Sequence, residues 1–370
     1  MASVLLAGGG TAGHVNPLLA TAAELQSRGH AVAALGTAEG LEADLVPRAG
    51  LTLEAVPKVP MPRRPGAAMV RVPGRLRAAV ATAGRAIDTH EATVVVGFGG
   101  YVSAPAYLAA RRRGVPIVVH EANARPGMAN RLGARMTPHV AVTFAGTPLR
   151  HGVLTGLPLR MEVTELAKAL QDDSTRASIQ RQARESRRWD PQAPVLLVTG
   201  GSLGAARIND AVVAAVPTLV AHGVHVWHLT GTGKSEPATR ARANLSTELR
   251  HMYHVEEYSH EMATAFAAAD AVVCRSGAAT VCEVSALGLP ALYVPLPHGN
   301  GEQALNARQS IQAGAATVIR DEDLKPTALE LASEAMVLDP KVNARMRAAA
   351  QTVGISDGAA RVADMVEAAT

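Results

Sequence analysis

Cysteine is nearly absent from this 370-residue chain, which has two, Cys274 and Cys282. Two cysteines do not build a disulfide framework, and no Cys/His cluster has the spacing of a zinc site. Aromatic residues are scarce as well: five Tyr, three Phe and two Trp. So few stacking platforms argue against a nucleic-acid partner, despite a net charge of +4. Long apolar runs are also missing. Those present are broken by Gly or Pro and fall short of the roughly 20 residues of a transmembrane helix. No positively charged segment precedes Val4-Leu5-Leu6-Ala7, which enters a strand at once, so a signal peptide is not expected. What remains reads as a soluble globular protein of a reducing cytoplasm, 48% hydrophobic and 18% charged. Its length suffices for two domains with separate cores.

What is present is an alternation of strands and helices. The first half reads as strand Val4–Ala7, glycine-rich turn Gly8–His14, helix Asn16–Arg28 and strand His30–Leu35. A helical segment over Gly40–Arg48, a Pro-rich loop Pro57–Pro73 and a helix Leu76–Thr89 follow. Strand Thr93–Val96 runs into Gly97–Ser103, then helix Pro105–Arg113, strand Pro116–His120 and a loop through residue 131. Such alternation predicts a parallel sheet whose ligands sit beyond the carboxyl ends of its strands. The loops at 8–14, 97–103 and 120–131 all follow strands and should cluster at one edge. Residues Val163–Asp190 are polar and read as helical or loosely ordered. The opening then repeats: strand Val195–Val198, glycine loop Thr199–Gly204, helix Ala205–Val220, strand Val224–Leu229. The expectation is an α/β chain of two Rossmann-like domains facing across a deep cleft. Residues 1–160 form the first and 161–355 the second, and a C-terminal helix near 356–370 returns to complete the first.

The stretch Val272–Pro290 is the most informative. Ala271, Val272 and Val273 suit a buried parallel strand. Arg275-Ser276-Gly277 turns the chain, and Ser276 reads as an N-cap that leaves free backbone N–H groups for a phosphate. Thr280 and Glu283, three residues apart, share a helix face. A carboxylate in an otherwise apolar helix needs a solvent face or a partner, and it is placed to meet a sugar hydroxyl. The bland reading is a capped α/β crossover.

Charge is uneven. Residues 1–160 carry 17 basic and 8 acidic side chains, whereas 161–370 carry 19 and 24. Ten basic residues lie between Lys58 and Arg113 against Asp88 and Glu91. They interleave with Val59, Pro60, Met61, Met69, Val70, Val72 and Leu76, a pattern that suits an anionic lipid surface. The alternative is solvated surface arginine, since Arg outnumbers Lys 31 to 5.

Several motifs are set aside. Gly8-x-Gly10-x-x-Gly13 matches a dinucleotide fingerprint, but the second strand ends Ala33-Ala-Leu-Gly-Thr37, without the acidic residue that holds a ribose. Gly231-Thr-Gly-Lys-Ser235 looks like a Walker loop, yet His228 stands at its first glycine position. Asp321-Glu-Asp323 reads as a solvated acidic run rather than a metal site. His120-Glu121 lacks the second histidine of a zinc site.

Together, Gly8–Pro17, Gly97–Ser103, His120–Asn130, Gly200–Ala205 and Arg275–Pro290 resemble the MurG family, bacterial UDP-GlcNAc transferases that convert lipid I to lipid II in peptidoglycan synthesis. The likeness covers nearly the whole length. It implies the GT-B fold, an inverting enzyme without a cofactor or metal, and a peripheral place on the cytoplasmic face of the cell membrane. The partners implied are UDP-GlcNAc, lipid I, the anionic inner leaflet through residues 58–113, and cell-wall synthesis and division proteins. Matched motif by motif, Thr11, Ala12, Gly13, Asn123, Arg160, Ser202, Ser259, Ala278, Ala279, Thr280, Glu283 and Gln303 would bind the donor. Ser259 would read uracil through its backbone, Glu283 would hold the ribose, and Gln303 would reach the sugar. Gly99, Gly100 and Tyr101 would form the acceptor diphosphate pocket. His14 is the expected general base for the muramyl 4-hydroxyl, because histidine titrates near neutrality; Glu121 is the reserve. His14 as a structural cap or phosphate ligand is the competing reading. Three positions depart from the family: Leu157 in Gly156-Leu-Pro158 replaces an asparagine, Glu302 replaces the first of two glutamines, and Ser259 stands where a larger apolar residue is common. A GT-B transferase for another lipid acceptor, a UDP-GlcNAc epimerase, and a catalytically silent UDP-sugar binder are the other readings.

Overall fold

A computed structural model describes residues 1–59, 72–298 and 300–370. The chain divides into two compact units: Met1–Met161 with Asp357–Thr370, and Glu162–Ser356.

In the first unit, seven strands are seen among the described residues: β1 Ser3–Ala7, β2 Ala31–Gly36, β3 Thr52–Ala55, β4 Val94–Gly97, β5 Ile117–Glu121, β6 Val140–Val142 and β7 Gly152–Leu154. All pair in parallel, in the order β3-β2-β1-β4-β5-β6-β7. The apolar runs of β1, β4 and β5 are buried on both faces, as a parallel sheet requires. Alternate residues serve different cores. Leu5 and Val95 face the helices Val72–Thr89 and Gly100–Arg113, while Leu6, Val96 and Val118 join Leu18, Leu25, Ala363 and Val366 on the other side. The C-terminal helix Gly358–Ala369 lies against the helix Ala12–Ser27. Arg28 fastens the pair, reaching Asp364 at 2.6 Å and Glu367 at 3.0 Å. Sheet order reverses direction between β1 and β4, and the crevice beyond the carboxyl ends of such neighbours is where open α/β sheets take ligands.

The second unit repeats the plan with β8 Val195–Thr199, β9 His225–Leu229, β10 Tyr253–Glu256, β11 Ala271–Cys274, β12 Ala291–Tyr293 and β13 Ala316–Val318. Their order is β10-β9-β8-β11-β12-β13, again parallel, with the reversal between β8 and β11. The polar stretch after residue 160 is regular rather than loose: it forms helices Met161–Ala169 and Asp173–Ser186. Asp172 caps the second by accepting the Thr175 N–H at 2.7 Å. Arg184 anchors it by donating to the Ala268 carbonyl at 3.0 Å and pairing with Asp270 at 2.7 Å.

Three helices begin earlier than the sequence pattern predicts: that over Val72–Thr89 takes in Pro73 from the expected loop, and two start inside glycine loops. The first of these two starts at Ala12, inside the glycine turn, and the fourth-strand loop turns helical at Gly100. In the second case Gly99 and Gly100 hold φ of 99° and 80°, values that other residues seldom adopt. The basic stretch is split: Pro60, Met61, Arg63, Arg64, Met69, Val70 and Arg71 lie outside the described residues.

Candidate active site

Three strand-end loops of the first unit meet, as their positions after adjacent parallel strands require. His14 sits on the first turn of the helix Ala12–Ser27, half-buried, while Thr11, Ala12 and Gly13 beside it are exposed. Its Nδ1 lies 3.1 Å from the Gly9 carbonyl oxygen and 3.1 Å from Thr11 Oγ1. A carbonyl only accepts, so Nδ1 carries the proton and Nε2 is the bare, basic nitrogen. Nε2 faces the second glycine turn: a Cβ placed on Gly99 would lie 3.0 Å from it. Gly99 is fixed in turn by Ser103, whose Oγ accepts the Gly99 N–H at 2.8 Å.

Glu121, at the end of β5, is buried, and N–H donors occupy both its oxygens. Oε1 accepts from Asn123 at 2.9 Å; Oε2 accepts from Gly127 at 3.0 Å and from the Asn130 amide at 2.9 Å. Asn130 also donates to the His120 carbonyl at 2.9 Å and accepts from the Tyr107 hydroxyl at 2.8 Å. This arrangement makes Glu121 the organiser of its loop. Burial pushes His120 down to about 4, so it is neutral at physiological pH. A pocket of about 370 Å³ opens beside Gly9, Gly10, Thr37, Lys58 and Tyr101. Lys58 Nζ stands 5.8 Å from the centre of the exposed Tyr101 ring. Arg160 is half-buried just before the helix Met161–Ala169, and Leu157, the departure from the family pattern, is core.

In the second unit, Ser276 does not cap the helix that follows it. The helix runs Ala278–Ala286 with Gly277 at its extended N-cap, and Ser276 is fully buried with no partner for its hydroxyl among the described residues. The chain turns one residue later than the capping pattern suggests, because Ser276 continues inward from β11. The first-turn N–H groups at Ala278, Ala279 and Thr280 still have no partner within the helix. Thr280 and Glu283 are half-buried on it. Arg275 turns away, donating to the Val294 carbonyl at 3.0 Å and pairing with Asp321 at 2.6 Å. Asp321 is therefore a partly buried ion-pair partner rather than part of a solvated run.

Ser202 is exposed in the glycine loop before the helix Ala206–Ala221. Ser259 is buried, and its hydroxyl accepts the Glu261 N–H at 3.1 Å. Gln303 folds back, its Oε1 accepting the Leu296 N–H at 2.9 Å. A buried polar chain that sequence reading missed supports the glycine loop. The Tyr253 hydroxyl donates to His228 Nδ1 at 2.8 Å, His228 Nε2 donates to Asn209 Oδ1 at 3.1 Å, and the Asn209 amide donates to the Thr230 carbonyl at 2.8 Å. Thr230 lies so close to Gly204 that a Cβ there would collide with its carbonyl. Burial holds His228 at about 3, so it is neutral.

Residues 4–142 match the N-terminal domain of glycosyltransferase family 28, and residues 195–362 its C-terminal domain. Over 366 residues the chain is 48% identical to a Frankia casuarinae protein named UDP-N-acetylglucosamine–N-acetylmuramyl-(pentapeptide) pyrophosphoryl-undecaprenol N-acetylglucosamine transferase, spanning 98% of this chain and 95% of that one. A Cutibacterium acnes protein of the same name is 48% identical over 94% of this chain and 92% of its own. The chain belongs to the MurG family. The crystal structure of Acinetobacter baumannii MurG superposes with a TM-score of 0.79 at 26% identity, covering 100% of both chains. The UDP-GlcNAc 2-epimerase of Neisseria meningitidis, at 13% identity and a TM-score of 0.68, shares the fold alone. The architecture is GT-B, and this MurG-family chain is a glycosyltransferase. Thr11–His14, Gly99–Tyr101, Glu121, Asn123 and Arg160 belong to its first unit; Ser202, Ser259, Ala278–Glu283 and Gln303 belong to its second. Among the described residues no helix is long and apolar enough to cross a membrane.

Proposed function

We propose that the chain transfers GlcNAc from UDP-GlcNAc to the 4-hydroxyl of MurNAc in lipid I, giving lipid II and UDP with inversion at the anomeric carbon. The observation that carries this reading is His14. Its Nδ1–H is committed to the Gly9 carbonyl and its bare Nε2 faces the second glycine turn. The muramyl hydroxyl gives its proton to Nε2 as its oxygen bonds to the anomeric carbon. The bond from that carbon to the UDP oxygen breaks in the same displacement, and imidazolium later returns the proton to water. Backbone N–H groups at Ala278–Thr280 and the positive end of their helix offset the charge on the leaving diphosphate.

Glu283 holds the ribose and the Ser259 main chain reads uracil. Thr11, Ala12, Gly13, Asn123, Arg160, Ser202 and Gln303 complete the donor contacts. Gly99, Gly100 and Tyr101 take the acceptor diphosphate. The first unit meets the anionic inner leaflet through exposed Lys58, Arg75, Arg77, Arg85, Arg111 and Arg112. Arg113 is excluded because Asp88 engages it at 2.7 Å. On this reading the enzyme acts peripherally on the cytoplasmic face of the cell membrane, beside other cell-wall and division proteins.

The test is transfer from radiolabelled UDP-GlcNAc to a soluble lipid I analogue, with and without EDTA. Labelled disaccharide lipid that survives EDTA is the expected result. Saturable UDP-GlcNAc binding without transfer would favour another acceptor or a silent binder.

A further inference from the structure

Glu42 is fully buried, yet it pairs with no basic side chain among the described residues. Its carboxylate instead collects three donors. Oε2 accepts the Gly10 N–H at 2.9 Å; Oε1 accepts the Thr37 N–H at 2.9 Å and the Thr37 hydroxyl at 2.6 Å. Burial by itself would raise the group's pKa, but the bonds from Thr37 and Gly10 outweigh it and hold the carboxyl below its ordinary range. The space around it is built from absent side chains: a Cβ on Gly9, Gly36 or Gly40 would collide with Glu42. Three glycines from two strand-end turns thus make room for one carboxylate. A buried charge without a counter-ion is costly and persists where its surroundings fix it in place.

What that carboxylate grips is the turn that carries the Gly9 carbonyl. Gly10 N–H is bonded to Glu42, and the carbonyl of the same peptide unit, Gly9 C=O, faces His14 Nδ1 at 3.1 Å. Because one rigid peptide plane holds both groups, fixing the N–H fixes the carbonyl. In water a neutral imidazole favours the proton on Nε2, so holding it on Nδ1 requires an acceptor at a set position. The opposite tautomer would place the Nδ1 lone pair against the carbonyl oxygen. We propose that Glu42 is a positioning residue for His14: through the Gly9–Gly10 peptide it holds the ring in the Nδ1–H tautomer and leaves Nε2 free. This rests on the reading of His14 as general base. Helix capping alone does not account for it, because all three donors come from the strand-end turns rather than from the helix Glu42–Arg48.

The test is Glu42→Gln, which is nearly isosteric but turns an NH₂ toward groups that are themselves donors. Nitrogen-15 histidine NMR, with His14 assigned through His14→Gln, reads the tautomer directly. Wild type should show His14 protonated on Nδ1. Glu42→Gln should show substantial Nε2–H, with kcat lowered about tenfold and the KM for UDP-GlcNAc unchanged. Should Glu42→Gln fail to fold, Thr37→Val removes one of the three bonds and should shift the tautomer and kcat the same way by less. Unchanged His14 resonances in a folded variant would overturn the proposal, as would a kcat loss accounted for by a smaller folded fraction in a thermal melt. The NMR result is independent of the transfer reaction. A shifted tautomer with no effect of His14→Gln on kcat would leave Glu42's grip intact and refute the base assignment instead.

Discussion

His14 Nδ1 and the Gly9 carbonyl oxygen stand 3.1 Å apart, and that contact decides which ring nitrogen can take a proton. Five residues separate the two in sequence, and a turn plus the first turn of a helix bring them together. The same turn is gripped from behind by Glu42, so the glycine-rich loop is a braced element rather than a flexible one.

Glu121, the reserve base, is expected to act on stability rather than on chemistry. Its oxygens accept from Asn123, Gly127 and Asn130, so Glu121→Gln leaves at least one buried donor unsatisfied. A loss of about 1–3 kcal/mol in urea denaturation is expected, with kcat of the folded fraction within a few-fold of wild type. A hundredfold loss of kcat at unchanged stability would restore Glu121 as base.

Removing the Tyr253 hydroxyl should be felt in the glycine loop Thr199–Gly204, the proposed donor contact. Tyr253→Phe strips the donor from His228 Nδ1 and loosens the chain through Asn209 to Thr230, against which Gly204 is packed. The KM for UDP-GlcNAc should rise several-fold while the KM for the lipid acceptor holds. An equal change in both would show that the chain serves the fold in general.

Burial of histidines sets an acid limit. Burial holds His120 and His225 at about 4 and His228 at about 3, against about 6.5 in an unfolded chain. Between pH 6.5 and 4 the unfolded chain binds these protons and the folded chain does not. Stability therefore falls as pH drops through that window, by at most about 1.4 kcal/mol per pH unit for each histidine. Above pH 6.5 these groups contribute no slope. Urea midpoints at pH 7, 6 and 5 check this, and His228→Gln should flatten the fall. A midpoint constant from pH 7 to 5 would contradict it.

Much of this was legible in the sequence for identifiable reasons. The central strands β1, β4, β5 and β8 are short apolar runs bounded by glycine turns, the signature of strands buried on both faces. The outer strands were not legible. β3 is half-exposed Thr-Leu-Glu-Ala, and β6 and β7 have three residues each, with no period to detect. His14 and the Gly99–Gly100 turn could be picked out because their chemistry is unusual where it stands. Glu42 could not: in Leu41-Glu-Ala-Asp44 it reads as an ordinary charge on a surface helix. What buries it is three glycines, two of them on other segments. Ser276 misled for the converse reason, since serine before a helix suggests a cap, whereas here its side chain points into the core. The Asp321–Arg275 pair and the Tyr253–His228–Asn209 chain join residues 19 to 46 positions apart, which no local pattern reveals.

The measurement that bears most directly on the central claim compares two constants for His14→Ala: kcat for transfer to the lipid I analogue, and Kd for UDP-GlcNAc by calorimetry. A base whose Nε2 takes the muramyl proton should lose about 10²–10⁴-fold in kcat, with donor Kd within about twofold of wild type. A loss of donor affinity matching the loss of turnover would instead make His14 a donor ligand, and the base assignment would be wrong.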